Sequence, residues 1–197
     1  TADIKKAAQD IVLGASLDNN ILCIAEKSVV AMRQIEPQLV QEMVKAGCVL
    51  IDNQQDIQRL VDLTVLPNGT PNKKFVGKNA SVILDAAHIP YNGDPRLIIM
   101  RTPKDHPFAV IEMLMPILPV VTVDSFDEGL DVCLMLEAGL HHTATMHSLN
   151  MERLNRMARK MKTSIFVKNG PSYAGLGFSG EGTTTFTIAT PTGESTT

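Results

Sequence analysis

The chain has 197 residues, of which 44% are hydrophobic and only 4% aromatic, so it suits one domain of ordinary size with an aliphatic core. The net charge of −3 is spread along the chain and favours neither a nucleic acid nor a membrane surface as partner. Three widely separated cysteines indicate neither a disulfide framework nor a metal site, and are typical of a reducing cytoplasm.

The first predicted element is a helix whose apolar residues recur at helical spacing from Ile4 to Ala15, with Thr1 or Asp3 as its cap. Short apolar runs and amphipathic segments then alternate. The predicted strands are 28–32, 48–51, 97–100, 117–123, 143–147 and 164–167. The predicted helices are 37–46, one that includes 57–63, 79–87, 108–114, one from 124 or 125 to 137, and 151–161.

This alternation predicts an α/β fold with a mainly parallel sheet that is flanked by helices on both faces. We expect one domain over residues 1–182. Residues 183–190 are β-branched and alternating, which predicts a terminal strand, and the polar tail continues to 197. The most apolar window, 113–123, is too short to span a bilayer, and no signal peptide is expected.

One cysteine, Cys23, follows the first helix and the polar turn 18–20, directly before a β-rich run. A cysteine at such a junction can lie in a cleft beside backbone N–H groups, an environment that suits a thiolate nucleophile. On spacing alone, a small buried hydrophobic residue is the more common alternative. Lys27 is expected on the same face of the following strand, but too far away to be a firm partner of the thiol.

Together with segments further along the chain, residues 19–27 (NNILCIAEK) resemble the catalytic cysteine segment of the aldehyde dehydrogenase superfamily. The resemblance extends from Thr1 to Gly193 and is greatest for the CoA-acylating branch, the propionaldehyde and acetaldehyde dehydrogenases of propanediol and ethanolamine utilisation. Asn20-Ile21 stands where hydrolytic members usually carry Gly-Gln. The resemblance implies that Cys23 is the nucleophile and that Asn20 and Ile21 line the substrate pocket.

The resemblance has two further implications for the whole protein. A nucleotide-binding domain is expected upstream of this chain, so that the chain is a catalytic-domain fragment. The strand at 183–190 is expected to take part in oligomer assembly.

Glu112 stands four residues before Pro116 in a segment that resembles the one in which the family's glutamate binds the ribose of the nicotinamide cofactor. The resemblance implies that Glu112 and Leu114 contact NAD. A carboxylate suits this role because it can accept two hydrogen bonds from a vicinal diol. On residue type alone, Glu112 would be a solvated helix charge. Leu114 stands where hydrolytic relatives usually carry phenylalanine, so its packing against the nicotinamide is expected to differ.

His141 and His142 precede a predicted strand, in a place where the acylating branch carries a Gly-x-x-His-Thr pattern. The match implies a role for His142 with CoA or with a thioester, since histidine can exchange a proton with a thiol near neutral pH. A purely structural histidine is the alternative. No metal site is expected, because adjacent histidines on a strand point to opposite faces and no further ligand is suitably spaced.

Two more segments lie near the end of the chain. The loop 168–173 follows a buried strand, and the resemblance implies that Asn169, Pro171 and Ser172 line the substrate pocket. The segment 175–180 (GLGFSG) matches the dinucleotide fingerprint Gly-x-Gly-x-x-Gly, but it lacks the preceding strand and the following helix. We interpret these glycines as a tight turn instead.

The resemblance implies oxidation of a short-chain aldehyde, such as propionaldehyde or acetaldehyde, with NAD as cofactor and CoA as co-substrate. A thioester would form on Cys23, and the oxyanion would be held by the Cys23 backbone N–H and by a donor from the domain expected upstream. The alternatives are a hydrolytic aldehyde dehydrogenase, an assembly module without activity, and an α/β domain with an inert Cys23. The chain alone is expected to be inactive, because half of the cofactor site lies upstream.

The expected partners are the aldehyde, further copies of the full-length protein and, by resemblance, shell or lumen proteins of a bacterial microcompartment. The expected location is the cytoplasm or the interior of such a compartment.

Overall fold

The structure, a computed structural model, describes residues 2–178. Its helices are α1 (Ile4–Ser16), α2 (Glu36–Lys45), α3 (Gln54–Thr64), α4 (Ala80–Ala86), α5 (Pro107–Val110), α6 (Phe126–Glu137) and α7 (Met151–Met161). Its strands are β1 (Val29–Met32), β2 (Cys48–Leu50), β3 (Leu97–Arg101), β4 (Ile117–Val123), β5 (Thr143–Met146) and β6 (Ile165–Lys168). Short 3-10 helices cover Leu17–Asn20 and Ser172–Leu176.

All strand pairs in the described part of the chain are parallel. Four strands form one sheet in the order β1-β4-β3-β2, in which Val29 pairs with Val120. The strands β5 and β6 form a separate parallel pair, with Thr143 opposite Ile165. The predicted α/β fold class is thus confirmed, but the strands form two sheets where one was expected. A groove of about 470 Å³ runs past the edge strands β1 and β5, which are not paired with each other.

The central strand β3 explains how the core is built, because its alternate residues face opposite sides of the sheet. Leu97 and Ile99 pack into one apolar cluster with residues of α1 and α2. Ile98 and Met100 pack into a second cluster with residues of α3 and α4. All four side chains are fully buried, so helices cover both faces of this sheet, as the sequence predicts.

Side-chain caps fix several helix starts close to their predicted positions. The side chains of Asp3, Asn53 and Ser125 each accept a hydrogen bond from a backbone N–H in the first turn of α1, α3 and α6, respectively. One predicted boundary is wrong, because α5 ends at Val110 rather than near Leu114. Leu114 has φ of 54°, which no right-handed helix accommodates.

The described part of the chain contains no helix that combines the length and the apolar character needed to cross a bilayer. Three irregular segments come directly before strands of the two sheets: residues 21–28 before β1, 111–116 before β4, and 138–142 before β5. Since β1 and β4 are parallel neighbours, their preceding segments lie at the same edge of the sheet. The candidate site is built from these segments.

Candidate active site

The loop that carries Cys23 begins with an unusual run of backbone conformations. Asp18, Asn19 and Asn20 have φ angles of 47°, 54° and 65°, in the left-handed region that asparagine and aspartate tolerate better than other side chains. The Asn19 side-chain amide anchors this turn by donating to Gly77 O at 3.1 Å and to Asn79 Oδ1 at 2.8 Å. The turn ends α1 abruptly and leaves Cys23 exposed at the surface of the cleft.

His142 lies directly against this cysteine. Its Nε2 is 3.3 Å from the Cys23 Sγ, although the two residues are 119 positions apart in sequence. The His142 backbone N–H donates to Glu137 Oε1 at 3.1 Å, which ties the histidine to the end of α6. Its other ring nitrogen, Nδ1, is 2.6 Å from the Thr143 hydroxyl oxygen. The imidazole is therefore oriented on both sides.

Burial lowers the pKa of His142, while hydrogen bonding of its backbone and the charge of Glu112 act in the opposite direction. The neutral imidazole consequently predominates at pH 7. When Nδ1 carries the proton and donates it to Thr143 Oγ1, the lone pair of Nε2 faces the sulfur. In that tautomer His142 can accept the Cys23 thiol proton.

Lys27 corrects an expectation from the sequence. Residues 21–28 are irregular and β1 begins only at Val29, so Lys27 does not extend along a strand. Its Nζ turns back to donate to Asn20 O and Asn20 Oδ1, both at 2.8 Å, and to Leu22 O at 3.1 Å. The strand assumed at Lys27 was therefore wrong, whereas the expectation that Lys27 is no firm partner of the thiol stays a prediction; the Cys23 side chain acts on the Lys27 pKa through charge alone.

The Lys27 ammonium is largely enclosed, and Glu112 Oε1 lies 3.8 Å from it. Burial lowers the pKa of Lys27 to about 8, and the negative charges of Glu112, Cys23 and Glu26 limit the decrease. A lysine with this pKa is still mostly protonated at pH 7. It places a positive charge beside the cysteine loop.

A cavity of about 300 Å³ joins these groups. Four of the residues that the resemblance implicates line it: Cys23, Glu112, His142 and Ser172. The Glu112 side chain is half-exposed at the cavity, so its carboxylate is accessible to a ligand. The arrangement supplies a nucleophile, a proton acceptor and an accessible carboxylate around one space.

The predicted pocket residues Asn20 and Ile21 are not among the residues that line this cavity. Asn20 is buried, and its side-chain amide donates to Ala15 O at 2.8 Å and to Glu26 O at 2.9 Å. Ile21 is 40% exposed, and its side chain lies close to Gly77. Asn20 thus supports the cysteine loop from inside, and a pocket role for either residue stays a prediction.

Leu114, Asn169 and Pro171 also lie outside the cavity lining. The Leu114 carbonyl accepts a hydrogen bond from Gly77 N at 3.0 Å. The Asn169 side chain exchanges hydrogen bonds with the backbone of Ser148, at 2.8 and 3.0 Å, and so connects the loops after β6 and β5. Pro171 precedes the 3-10 helix Ser172–Leu176. Their contacts with substrate or cofactor stay predictions.

Glu26 is a residue that the sequence analysis missed. Its buried carboxylate accepts hydrogen bonds from Ser172 N and Ser172 Oγ, each at 2.8 Å. Burial raises the pKa of Glu26 to about 7, although the hydrogen bonds from its own backbone and from Ser172 oppose the rise. A Cβ on Gly14 would lie 2.1 Å from Glu26 Oε2, so glycine at that position leaves room for the carboxylate. No pattern in the sequence indicates this long-range contact.

The structure also describes most of the glycine segment that mimics a dinucleotide fingerprint. Gly175 lies inside a 3-10 helix, where an added Cβ would approach Ile165 Cγ2 to 2.2 Å. Gly177 ends that helix with φ of 91°. Gly180 and the predicted strand at 183–190 lie outside the described residues. The two described glycines thus serve close packing and a left-handed turn.

The chain belongs to the aldehyde dehydrogenase family, whose family model matches residues 1–187. Over 198 residues it is 53% identical to the CoA-propanoylating propanal dehydrogenase of Citrobacter freundii, covering 100% of this chain and 42% of that protein. The resemblance inferred from the sequence is confirmed at the level of the family and its acylating branch. The chain spans less than half the length of this relative.

Two solved structures are similar to this chain over its full length. One is Rhodopseudomonas palustris propionaldehyde dehydrogenase with bound CoA and an acylated cysteine, at a TM-score of 0.95 and 46% identity, covering 100% of this chain and 45% of the other. The other is a propionaldehyde dehydrogenase from the Clostridium phytofermentans fucose utilisation bacterial microcompartment, at a TM-score of 0.95 and 44% identity, with the same coverage.

Proposed function

We propose that this chain is the cysteine-bearing catalytic part of a CoA-acylating aldehyde dehydrogenase. The full-length protein would oxidise a short aliphatic aldehyde, propionaldehyde first and acetaldehyde as the nearest alternative, to the acyl-CoA. The observation that carries this proposal is the 3.3 Å contact between Cys23 Sγ and His142 Nε2 at an accessible cavity. The similarity to an enzyme with CoA and an acylated cysteine supports the same chemistry.

In the first step His142 Nε2 accepts the proton of the Cys23 thiol, and the thiolate attacks the aldehyde carbon to form a thiohemiacetal. The carbonyl oxygen becomes an oxyanion, to which the Cys23 backbone N–H would donate. This N–H has no hydrogen-bond acceptor among residues 2–178, so it is available for the oxyanion. Loss of a hydride from the thiohemiacetal carbon then leaves a thioester on Cys23.

Glu112 fits the role of holding the nicotinamide cofactor. Its carboxylate is 53% exposed at the cavity and can accept hydrogen bonds from both hydroxyls of a ribose. NAD, when bound there, supplies the acceptor for the hydride. The apolar side chains of Val110 and Leu140 line the same cavity and are also about half exposed, which supports a covering domain from the rest of the protein.

The second half-reaction transfers the acyl group. His142 first releases the proton taken from Cys23 to solvent; the thiol of CoA then gives its proton to the neutral imidazole and attacks the thioester carbon, while the Cys23 thiolate leaves. The products are acyl-CoA, the regenerated thiolate and a protonated histidine that releases its proton to solvent. A single imidazole therefore serves both thiols, because they approach the same carbon in turn.

The experiment that tests this function is a product assay on the full-length enzyme. With propionaldehyde, NAD and CoA, we expect propionyl-CoA in a one-to-one ratio with NADH, separated from propionate by chromatography. Omitting CoA should stop turnover after one acylation per active site. Propionate as the main product at saturating CoA would contradict the proposal and identify the hydrolytic alternative.

We further propose that the full-length protein is a homo-oligomer and that it works inside a bacterial microcompartment. The similarity to a microcompartment propionaldehyde dehydrogenase supports the second point. Light scattering of the full-length protein tests the first, and its recovery in purified compartments from the native cell tests the second. A monomer, or a protein found only in the free cytosol, would contradict the respective point.

A further inference from the structure

The Lys27 ammonium touches the peptide unit that joins Leu22 to Cys23. Its Nζ donates to the Leu22 carbonyl oxygen at 3.1 Å, and the same oxygen accepts a second hydrogen bond from Ala25 N at 3.1 Å. The N–H at the other end of this peptide unit belongs to Cys23. It is the N–H that the proposed mechanism assigns to the oxyanion.

The geometry of a trans peptide links these two ends. Its carbonyl and its N–H point in opposite directions in one rigid plane. Donors that fix the Leu22 oxygen therefore fix the direction of the Cys23 N–H as well. Hydrogen bonds in such a chain also polarise one another, so a cation on the carbonyl makes the N–H a stronger donor.

Two more contacts prevent the ammonium from moving away. Both oxygens of Asn20, in the backbone and in the side chain, accept from Lys27 Nζ at 2.8 Å. The Asn20 amide nitrogen is itself held by Ala15 O and Glu26 O. The lysine thus occupies a rigid cage of three oxygens, with Glu112 as the nearest carboxylate at 3.8 Å.

We propose that Lys27 is a positioning residue for the oxyanion site: it holds and polarises the Leu22–Cys23 peptide so that the Cys23 N–H stabilises the oxyanion of the thiohemiacetal. This inference rests on the proposed function, and it deepens it by naming what organises the oxyanion donor. In this proposal Lys27, which also lines the cavity, acts on the oxyanion through the peptide. Its ammonium is charged at neutral pH, since its pKa is about 8.

The test compares two reactions of Cys23 in the full-length enzyme. The first is the single-turnover rate of NADH formation with propionaldehyde, which needs the oxyanion site. The second is alkylation of Cys23 by iodoacetamide at the same pH, where Lys27 carries the same charge; it needs the thiolate but forms no oxyanion. Lys27→Met should slow the first reaction about 10- to 100-fold, less than the loss of a direct donor, and change the second by less than about threefold.

Two variants complete the design. Lys27→Arg keeps the charge but replaces the compact ammonium by a larger planar group, so its rate of NADH formation should lie between those of Lys27→Met and the wild type. Lys45→Met removes a lysine from the surface of α2, where it pairs with Glu42, and should leave both rates unchanged. If Lys27→Met does not fold, Lys27→Gln, which keeps a donor without the charge, is judged by the same two rates.

Equal losses in both reactions would overturn the inference, because the lysine would then only organise the loop or the thiol. Unchanged NADH formation in Lys27→Met would overturn it as well. Failure of the proposed function is a separate result: a wild-type enzyme that makes no propionyl-CoA refutes that function, whatever the Lys27 variants do.

Discussion

Two cysteines of this chain show how local structure controls the exposure and the ionisation of a thiol. Cys48 starts β2, packs in the core beneath α2, and has its pKa raised to about 12 by burial. Cys23 lies in an irregular loop, is exposed, and has an imidazole 3.3 Å from its sulfur. The comparison teaches that the regular sheet suppresses the thiolate, whereas the loop at its edge exposes the thiol to a base and a cation.

The Cys23 thiol is exposed beside a base and a cation because the loop that carries it has no regular secondary structure. Three consecutive left-handed residues, 18–20, end α1, and Lys27 then holds the following backbone from within. The strand β2 needs neither device, since its residues pair in register with β3. The reactive thiol and the stable core thus lie in different segments of the chain.

The largest expected difference between the two cysteines is the effect of removing each sulfur on activity. In the full-length enzyme, Cys23→Ala should lower the rate of acyl-CoA formation by about 10⁴-fold or more, because no covalent intermediate can form. The matched change Cys48→Ala should keep the wild-type rate, since it removes a core atom only. Coupled measurement of NADH and acyl-CoA decides the result. Full activity in Cys23→Ala would show that the loop cysteine is not the nucleophile.

The next effect concerns labelling of the native full-length protein by iodoacetamide at pH 7.5. With its pKa near 12, Cys48 should react at least about 10³-fold more slowly than a free thiol of pKa about 8.5, because its thiolate is that much scarcer. Cys23 should react at least as fast as the free thiol. Peptide mass spectrometry over time measures both. Labelling of Cys48 and Cys23 at comparable rates would contradict the claim that burial suppresses the Cys48 thiolate.

His142 provides the third test. His142→Ala should slow acyl-CoA formation about 10²-fold, because general base catalysis contributes roughly that much or more. Burial lowers the His142 pKa, so the wild-type rate should fall only below pH 6.5, where the imidazole takes up a proton, and the variant should lack this decline. The exposed His88 offers a control as His88→Asn, with no expected change. A variant that keeps the same acid decline would show that another group causes it.

The smallest effect concerns the buried carboxylate of Glu26. Its pKa rises from 4.5 in the unfolded chain to about 7, so the unfolded state releases the proton first as pH increases. Relative to Glu26→Gln, the wild-type free energy of unfolding should therefore fall between pH 4.5 and 7, by about 3 kcal/mol at about 1.4 kcal/mol per pKa unit. Denaturant unfolding at several pH values measures this difference.

The control for this experiment is Glu152→Gln, a change at an exposed residue in the first turn of α7. Its unfolding free energy should follow that of the wild type at every pH. Parallel curves for wild type and Glu26→Gln would mean that the pKa of Glu26 is the same in the folded and the unfolded protein, which contradicts the prediction.

The sequence predicted regular elements well wherever periodicity is strong. The strand Ile117–Val123 and the helix Met151–Met161 have the bounds that their apolar patterns indicate. The helix at 108–114 was drawn too long, because the backbone is already extended at Ile111 and is left-handed at Leu114, which the apolar pattern does not reveal. The division into two sheets was equally hidden, since periodicity identifies strands without their neighbours.

The candidate site was predictable in its residue types but not in its geometry. The segment around Cys23 resembles a known catalytic segment, yet no spacing rule brings His142 to it across 119 positions. Lys27 was misjudged because a strand was assumed where the chain is irregular. The pair of Glu26 and Ser172 joins two distant loops, and only the folded chain reveals it.

The central claim, that Cys23 carries the acyl group, is tested most directly by mass spectrometry of the full-length enzyme. The enzyme is mixed with propionaldehyde and NAD, quenched before CoA is added, and digested. We expect a propionyl group on the peptide that contains Cys23, none on the peptides of Cys48 and Cys133, and its loss when CoA is supplied. An unmodified Cys23 peptide after one NADH has formed per active site would contradict the account.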